Sequence, residues 1–280
     1  MIYENPDLRN IIGETLRPGG LDLTKQALSL ANFLPGARIA DLGCGTGASL
    51  KLLSEMGFEA IGLDCSPILL KEAATKGQAL EGDFHHLPWP GESFDGLLYE
   101  CSLSLAAEPE RVLQESFRVL KNKGRLIISD LVLNNSEKNV GDNSAPARPR
   151  RWQITAATAE QCPVWGTETA GQTTCVAGAL PAKTLEAIQP QPGQGVGRSP
   201  QLRRSNAPFG AELAAMITRN GFEIIHRQDQ AKALNSLAAR LVWHLGSVDR
   251  MKAALGLSCE DEGGLKKYGY DVIVARKEKR

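Results

Sequence analysis

The sequence lacks several features that assign chains to common protein classes. Its 280 residues contain 32 Lys plus Arg and 32 Asp plus Glu, so no net charge favours nucleic acid as a general partner. No window holds the about 18 consecutive apolar residues that a membrane span needs. The first residues, MIYENPDLRN, lack the basic and apolar regions of a secretory signal. We therefore expect a cytoplasmic protein that contacts neither a membrane nor nucleic acid.

Paired metal-binding or disulfide-forming cysteines are also missing. The six cysteines, at positions 44, 65, 101, 162, 175 and 259, include no CxxC pair, which argues against a zinc knuckle and against a dense disulfide framework. His85 and His86 are adjacent and point in different directions, so they predict no metal site. The length suits one large domain, or one domain with an elaboration.

Apolar runs and helical patterns alternate through the first half of the chain. The runs ARIADLG, EAIGLD, QALEGD, FDGLLYEC and GRLIISDLVL predict strands, and the segments between most of them have helical periodicity. Ser66 is the predicted N-cap of the second of these helices, and the helix that begins at Pro109 is expected to end on Gly124. This alternation predicts an α/β fold with a doubly wound, mostly parallel sheet and helices on both faces.

The second half of the chain is less regular, and we divide the sequence accordingly. Residues 1–133 form an N-terminal helix and a cofactor-binding half. Residues 134–210 read as an irregular, partly flexible insertion that contains a short helix, LPAKTLEAI. Residues 211–280 complete the sheet with the strands GFEIIHRQ and YGYDVIVARK, and carry an extra helix near 231–256.

The run DLGCGTG, residues 41–47, follows the first strand and holds three alternating glycines. In a parallel α/β sheet, ligands bind beyond the carboxyl ends of the strands, and bare backbone lets them approach closely. Asp64 ends the second strand, where its two carboxylate oxygens suit the two hydroxyls of a ribose. A dinucleotide fits because Gly43, Gly45 and Ala48 satisfy GxGxxA. S-adenosylmethionine fits better, because Asp41 suits its ammonium group and would repel a pyrophosphate.

These motifs resemble those of the class I S-adenosylmethionine-dependent methyltransferases. The segment GLDCSP resembles the acidic second motif of that family, EGDFHHLPWPGESFD resembles the loop after the third strand in its small-molecule branch, and RVLKNKGRLIISD resembles the helix and fifth strand that follow. The resemblance covers about residues 15–133. It implies a seven-stranded Rossmann-like sheet with an antiparallel last strand, and S-adenosylmethionine as co-substrate.

The resemblance also implies which residues bind the cofactor. They lie at the carboxyl ends of the first four strands: Asp41, Gly43, Cys44, Gly45, Gly47, Asp64, Cys65, Asp83, Phe84 and Cys101. Asp41 and the glycine backbone would hold the methionine part, Asp64 the ribose, and Asp83 the adenine amino group. Phe84 would pack beside the ring or offer its backbone N–H. Cys101 and Ser102 would face the sulfonium methyl. Arg17, with the glycines that follow it, would form a lid.

The methyl acceptor is less constrained than the cofactor. No DPPY-like run follows the fourth strand, which argues against adenine or glutamine amino groups, and Glu100, His226 and His244 remain open as general bases. We predict transfer to a small-molecule acceptor.

A weaker likeness points to one particular acceptor. The stretch TCVAGAL resembles a cysteine-bearing segment of arsenite methyltransferases, and GLSCEDEGG resembles the region of a second cysteine. Trivalent arsenic prefers thiolates, so Cys175 and Cys259 join Cys101 and Ser102 as candidate catalytic residues. That family also uses a cysteine on the helix after the glycine loop, where this chain reads GASLKLL. Arsenite methylation is therefore an alternative function, and S-adenosylmethionine binding without catalysis is a second alternative.

Overall fold

Seven strands form one sheet in a computed structural model that describes residues 4, 9, 13–15, 17–133, 210–254 and 268–278. In chain order the strands are β1 (Arg38–Leu42), β2 (Glu59–Asp64), β3 (Gln78–Glu81), β4 (Phe94–Glu100), β5 (Leu120–Leu133), β6 (Phe222–Asp229) and β7 (Tyr268–Lys277). They pair in the order β3-β2-β1-β4-β5-β7-β6. The first five are parallel, and β7 is antiparallel to both of its neighbours. This confirms the predicted fold class.

Helices cover both faces of this sheet. Within the described ranges they are α1 (Gly20–Ala31), α2 (Ala48–Glu55), α3 (Pro67–Ala73), α4 (Pro109–Val119), α5 (Gly210–Arg219), α6 (Ala231–Leu245) and α7 (Val248–Ala254). None of them is long and apolar enough to cross a membrane.

The strands supply two hydrophobic cores because successive side chains point to opposite faces. On one face, strand residues such as Ile39 and Leu98 pack with buried residues of α1, α2 and α6. On the other, Ala40 and Leu97 pack with buried residues of α4 and α5. Both faces of the central strands β1, β2 and β4 are largely buried, which explains their near-continuous apolar sequences. The polar exceptions in these strands therefore need a separate explanation.

Local sequence signals place several helix ends correctly. The Ser66 hydroxyl accepts a hydrogen bond from the Leu69 amide (3.3 Å), and Pro67 occupies the first turn of α3, as the sequence predicts. Helix α6 coincides with the predicted stripe from Ala231 and ends at Gly246 in the left-handed region, with φ 81°. The predicted helix LPAKTLEAI lies outside the described residues.

The predicted end of α4 is wrong. This helix ends at Val119, and Leu120 already has extended backbone angles and begins β5. The pairing with β4 then shifts between Phe94 and Gly96, so the segment up to Gly124 forms a bulge in the ladder. A Cβ at Gly124 would lie 2.9 Å from the carbonyl oxygen of Lys121. Glycine is therefore needed here because the backbone of the bulge passes too close for a side chain. Its position after a basic run imitates a helix C-terminal signal.

Candidate cofactor-binding site

The glycine run forms a bare turn at the carboxyl edge of the sheet, between β1 and α2. Gly43, Gly45 and Gly47 all have positive φ, at 84°, 54° and 80°, a region that residues with side chains rarely adopt. A Cβ at Gly43 would lie 2.5 Å from Cβ of Ser102, whereas a Cβ at Gly45 would meet no atom of the described residues within 4 Å. Space for a ligand therefore opens directly over the backbone of Gly45.

Three carboxylates lie on one face of the sheet beside this turn. Asp41 is level with Gly62 of β2 and Leu98 of β4. Because side chains alternate along a strand, Asp64 and Glu100 lie on the same face as Asp41, one step nearer the carboxyl edge. This is the face that α1 and α2 cover, and the Asp41 and Glu100 carboxylates are both buried.

The Asp41 carboxyl has one oxygen that makes no hydrogen bond to the described residues. Its Oδ2 is buried and has no hydrogen-bond partner among the described residues. Burial, reinforced by the nearby charge of Glu100 and opposed by Arg17, raises the pKa of this carboxyl to about 8. A buried acceptor without a donor is costly, so its place beside Gly45 fits a cationic donor on a ligand.

Asp64 braces the glycine turn from the neighbouring strand. Its Oδ2 accepts a hydrogen bond from the Gly45 amide (2.9 Å), and its Oδ1 accepts one from the Ser66 amide (2.8 Å). Burial raises the pKa of this carboxyl, although these amide hydrogen bonds oppose the rise. The carboxylate thus lies against the open space over Gly45, where two adjacent hydroxyls of a ligand would meet it.

Glu100 is the centre of a buried network. Its Oε2 forms an ion pair with Nη2 of Arg17 (2.8 Å) and accepts a hydrogen bond from the Ser49 hydroxyl (2.6 Å). Its Oε1 accepts a hydrogen bond from the Thr24 hydroxyl (2.7 Å). Arg17 also donates to Thr24 (2.6 Å) and to Ser49 (2.8 Å). The network joins β4, α1, α2 and the segment before α1 beside the glycine turn.

Asp83 and Phe84 follow β3, next to the end of β2. Asp83 Oδ1 accepts hydrogen bonds from the backbone amide (2.9 Å) and from Nδ1 (2.5 Å) of His85. Partial burial raises the pKa of Asp83, but the His85 hydrogen bonds outweigh it and leave the pKa below its ordinary value. The Phe84 ring packs edge-on against Tyr99, with centroids 6.1 Å apart. Asp83 and Asp64 thus lie at the ends of adjacent strands.

Solved structures with a similar fold contain methyltransferases and at least one other kind of enzyme. The Haemonchus contortus phosphoethanolamine N-methyltransferase 2 in complex with S-adenosyl-L-methionine matches with a TM-score of 0.61 at 13% identity, covering 99% of this chain and 57% of that one. The [4+2]-cyclase SpnF matches with a TM-score of 0.58 at 21% identity, covering 92% and 80%. At such identities the likeness shows the fold alone, and the fold does not decide the reaction.

Sequence comparison is more specific. Residues 40–128 match the family model described as a methyltransferase domain. The match and the curated relatives support a class I S-adenosylmethionine-dependent methyltransferase family for this chain. The methyltransferase YodH of Bacillus subtilis (strain 168), itself described as uncharacterized, is 38% identical over 117 residues, which are 39% of this chain and 50% of that protein. A demethylmenaquinone methyltransferase of Thermotoga maritima is 36% identical over 122 residues, 42% of this chain and 53% of that protein.

A third curated relative is also named as a methyltransferase. An arsenite methyltransferase of Halobacterium salinarum is 34% identical over 115 residues, which are 37% of this chain and 29% of that protein. The chain spans about half the length of the first two curated relatives that it matches. S-adenosylmethionine is the co-substrate of the family, and the unpartnered Asp41 oxygen with the open space over Gly45 fits its amino-acid end.

Two of the predicted cofactor cysteines have different surroundings in this methyltransferase domain. Cys44 is buried, and a Cβ at Gly62 would lie 2.6 Å from its Sγ, so this thiol packs between the turn and β2. Burial raises its pKa far above the ordinary thiol value. Cys65 is exposed, and partial burial together with Asp64 raises its pKa as well. Both thiols are therefore neutral at physiological pH.

Cys101 and Ser102, expected at the sulfonium methyl, follow β4 at the same edge. Cys101 has φ 53°, unusual for a residue with a side chain, and its Sγ lies 3.3 Å from the Tyr270 hydroxyl. The Ser102 hydroxyl donates to the Leu42 carbonyl (2.7 Å). Both polar groups thus have partners within the protein, and their contact with a methyl group stays a prediction.

The other predicted residues are farther from the turn or undescribed. His226 lies on β6, the outermost strand, and His244 is exposed on α6. Cys175 and Cys259 lie outside the described residues.

Thr24 and Ser49 are site residues that sequence reasoning missed. Thr24 shares the buried face of α1 with Ala27, Leu28 and Ala31, at helical spacing. That spacing was a usable signal, because a polar residue on a buried helix face needs a polar partner.

Proposed function

We propose that this chain transfers a methyl group from S-adenosylmethionine to a small-molecule acceptor. The observation that carries the proposal is the buried Asp41 oxygen, which has no hydrogen-bond partner among the described residues and belongs to the strand that leads into the glycine turn. The ammonium group of the cofactor would pair with this oxygen, and the open space over Gly45 would hold the methionine part that bears it. A pyrophosphate would bring negative charge next to Asp41 and Asp64, so a dinucleotide fits poorly.

The residues around the turn would divide the cofactor between them. Asp41 accepts a hydrogen bond from the ammonium group, the Asp64 carboxylate accepts hydrogen bonds from the ribose hydroxyls, and Asp83 and Phe84 hold the adenine. Cys44 and Cys65 contribute backbone to the two turns. When bound, S-adenosylmethionine supplies a methyl group already activated by a positive sulfur. The protein then needs mainly to hold acceptor and methyl group in line and to exclude water.

Glu100 is a poor general base in this scheme, although sequence reasoning left it open. Both of its oxygens accept hydrogen bonds from Thr24 and Ser49, and Arg17 neutralises its charge. An acceptor that loses its proton readily, or that has none to lose, fits a site of this kind. A quinol-like hydroxyl compound and trivalent arsenic are two such acceptors, and two of the curated relatives are named for demethylmenaquinone and arsenite.

The test is release of S-adenosylhomocysteine from S-adenosylmethionine with a panel of acceptors that includes a demethylmenaquinol analogue and arsenite with a thiol reductant. Acceptor-dependent release supports methyl transfer and identifies the acceptor class. Binding of S-adenosylmethionine without release for any acceptor in an unbiased metabolite screen would favour a non-catalytic binding protein. Absence of S-adenosylmethionine binding would contradict the proposal itself.

The arsenite alternative makes a prediction of its own. If release depends on arsenite, Cys175→Ser and Cys259→Ser should each abolish arsenite binding, because paired thiolates hold the soft metalloid. Cys162→Ser is the matched control and should leave binding unchanged. Retained arsenite binding in both Cys175→Ser and Cys259→Ser would rule the alternative out.

A further inference from the structure

Among the described residues, the charges beside the glycine turn do not balance. Asp41, Asp64 and Glu100 share one face of the sheet, and Arg17 is the cation that pairs with Glu100 there. Asp41 and Glu100 are both nearly inaccessible to solvent, so water screens their repulsion weakly. A cofactor with an ammonium group would add the missing positive charge at Asp41.

Glu100 determines how strongly the positive charge of Arg17 acts on Asp41. The ion pair with Arg17, supported by the hydroxyls of Thr24 and Ser49, fixes a negative carboxylate one step along the sheet from Asp41. The same contacts hold Arg17 against α1 and α2, with its Nε buried and without a hydrogen-bond partner among the described residues. Glu100 therefore acts on the site both by holding Arg17 and by its own charge.

We propose that Glu100 is a positioning residue that couples cofactor binding at Asp41 to the release of a proton. The inference rests on the proposed function, because it requires the cofactor ammonium group to meet Asp41. In the empty site the Asp41 carboxyl keeps its proton, since a second buried negative charge beside Glu100 is unfavourable. When the ammonium group arrives, the O–H bond of Asp41 breaks, the proton leaves to solvent, and the carboxylate pairs with the ammonium group.

The surroundings of Asp41 support this order of events. It is faced by Glu100 from β4, Asp64 from β2, Arg17 from the segment before α1, and the neutral thiol of Cys44 in the turn. Burial and Glu100 raise the pKa of Asp41 to about 8, against the lowering effect of Arg17. Below that pH the empty site is protonated, and the complex with an ammonium group is not.

The consequence is a pH-dependent affinity with a defined sign. From about pH 6 to about pH 7.5, the dissociation constant should fall up to about tenfold per pH unit, because binding releases about one proton. Above the pKa of Asp41 the dependence should flatten, since the empty site has already lost that proton.

Neutralising Glu100 and neutralising Arg17 should shift this pH profile in opposite directions. Glu100→Gln removes the negative charge and leaves Arg17 beside Asp41, so the pKa of Asp41 falls and proton release near neutral pH decreases, although burial still raises that pKa. Arg17→Gln removes the positive charge, so the pKa rises and the profile shifts to higher pH. Asp95→Asn is the matched control, because Asp95 is a carboxylate of the same strand that binds Lys121 and the Arg38 amide at the opposite edge of the sheet.

The experiment is isothermal titration of S-adenosylhomocysteine into the wild-type protein and the three variants, across this pH range and in buffers with different ionisation enthalpies. We expect about one proton released by the wild type and Asp95→Asn, and a smaller fraction, with a shallower pH slope, by Glu100→Gln. A Glu100→Gln protein that binds more weakly by one factor at every pH, with the slope retained, would show a merely structural role and overturn the inference.

The remaining outcomes separate the inference from the proposed function. Binding by the wild type without proton release overturns the inference and leaves the function intact. No binding by the wild type at any pH overturns the proposed function. If Glu100→Gln does not fold, Arg17→Gln decides alone: a profile shifted to higher pH supports the inference, and an unshifted profile overturns it.

Discussion

The two halves of the sheet each bury an aspartate, and their surroundings are opposite. Asp271, on the antiparallel strand β7, accepts hydrogen bonds at its Oδ2 from Nε (2.8 Å) and forms an ion pair with Nη2 (2.7 Å) of Arg227. Asp41, on the parallel strand β1, has an Oδ2 with no partner among the described residues. The two carboxyl groups are similarly buried, at 5% and 2% exposure, so burial alone does not explain the difference.

The difference is consistent with a structural role for Asp271 and with the proposed binding role of Asp41. A buried carboxylate paired with an arginine has its hydrogen-bonding needs met by the folded chain. An unpaired one costs free energy in the empty protein, and such a cost is typical of a site whose partner is a ligand. Asp41 also adjoins the bare glycine turn, whereas Asp271 lies on the opposite face and three strands away. Three substitutions test this distinction.

The largest effect is expected at Asp64, which bounds the same open space as Asp41. Asp64→Ala removes both acceptors for the ribose hydroxyls, and the loss of two charge-assisted hydrogen bonds should weaken S-adenosylmethionine binding about 100-fold or more. Calorimetry measures the affinity, and circular dichroism checks that the variant is folded. Unchanged affinity in a folded Asp64→Ala protein would refute the site assignment.

A smaller effect, on stability alone, is expected at Asp271. Asp271→Asn leaves Arg227 without its partner and should lower the free energy of unfolding by about 1–2 kcal/mol, less than for a fully buried pair because the Arg227 side chain is 38% exposed. Denaturant unfolding measures this change. Cofactor affinity should stay within about twofold of the wild type, and a larger loss would mean that the two halves of the sheet are not independent.

The smallest effect is expected from Asp41→Asn in the protein without cofactor. This substitution should raise the stability of the fold, whereas Asp271→Asn should lower it. The raised pKa of Asp41 means that the folded state binds a proton which the unfolded state releases, from the ordinary pKa near 4 up to about 8. The protonated Asp41 carboxyl therefore favours the folded wild type at low pH, and this contribution to stability is lost as the pH rises through that range. Asparagine has no charge to bury.

Thermal unfolding at two pH values measures that gain. At pH 8.5 the Asp41→Asn protein should melt at least about 3 °C above the wild type, equivalent to about 1 kcal/mol for a protein of this size. At pH 5.5 the advantage should shrink or vanish. An equal difference at both pH values would show that the substitution acts through packing and not through the charge.

The sequence was sufficient to predict the fold and which candidate residues meet at one edge of the sheet. Strand and helix periodicity, with the glycines and Asp64 at strand ends, predicted which residues meet at the carboxyl edge, because parallel strands bring those ends together. Ser66 was recognisable as a cap because capping depends on a few neighbouring residues.

The features that depend on distant contacts were not predictable. The bulge at Gly124 arises from pairing with β4, and local sequence imitates a helix end there. The sequence left Glu100 open as a general base, yet the structure buries it in an ion pair with Arg17. The unpartnered oxygen of Asp41 is likewise visible only once every neighbouring donor has a position.

The most direct measurement is the titration of S-adenosylmethionine into the wild-type, Asp41→Asn and Asp271→Asn proteins at pH 7.5. The account predicts one binding site in the wild type, the same affinity in Asp271→Asn, and a loss of about 100-fold in Asp41→Asn, because the ammonium group loses its charged acceptor. Equal affinity in Asp41→Asn and the wild type would contradict the claim that the unpaired aspartate exists to bind the cofactor.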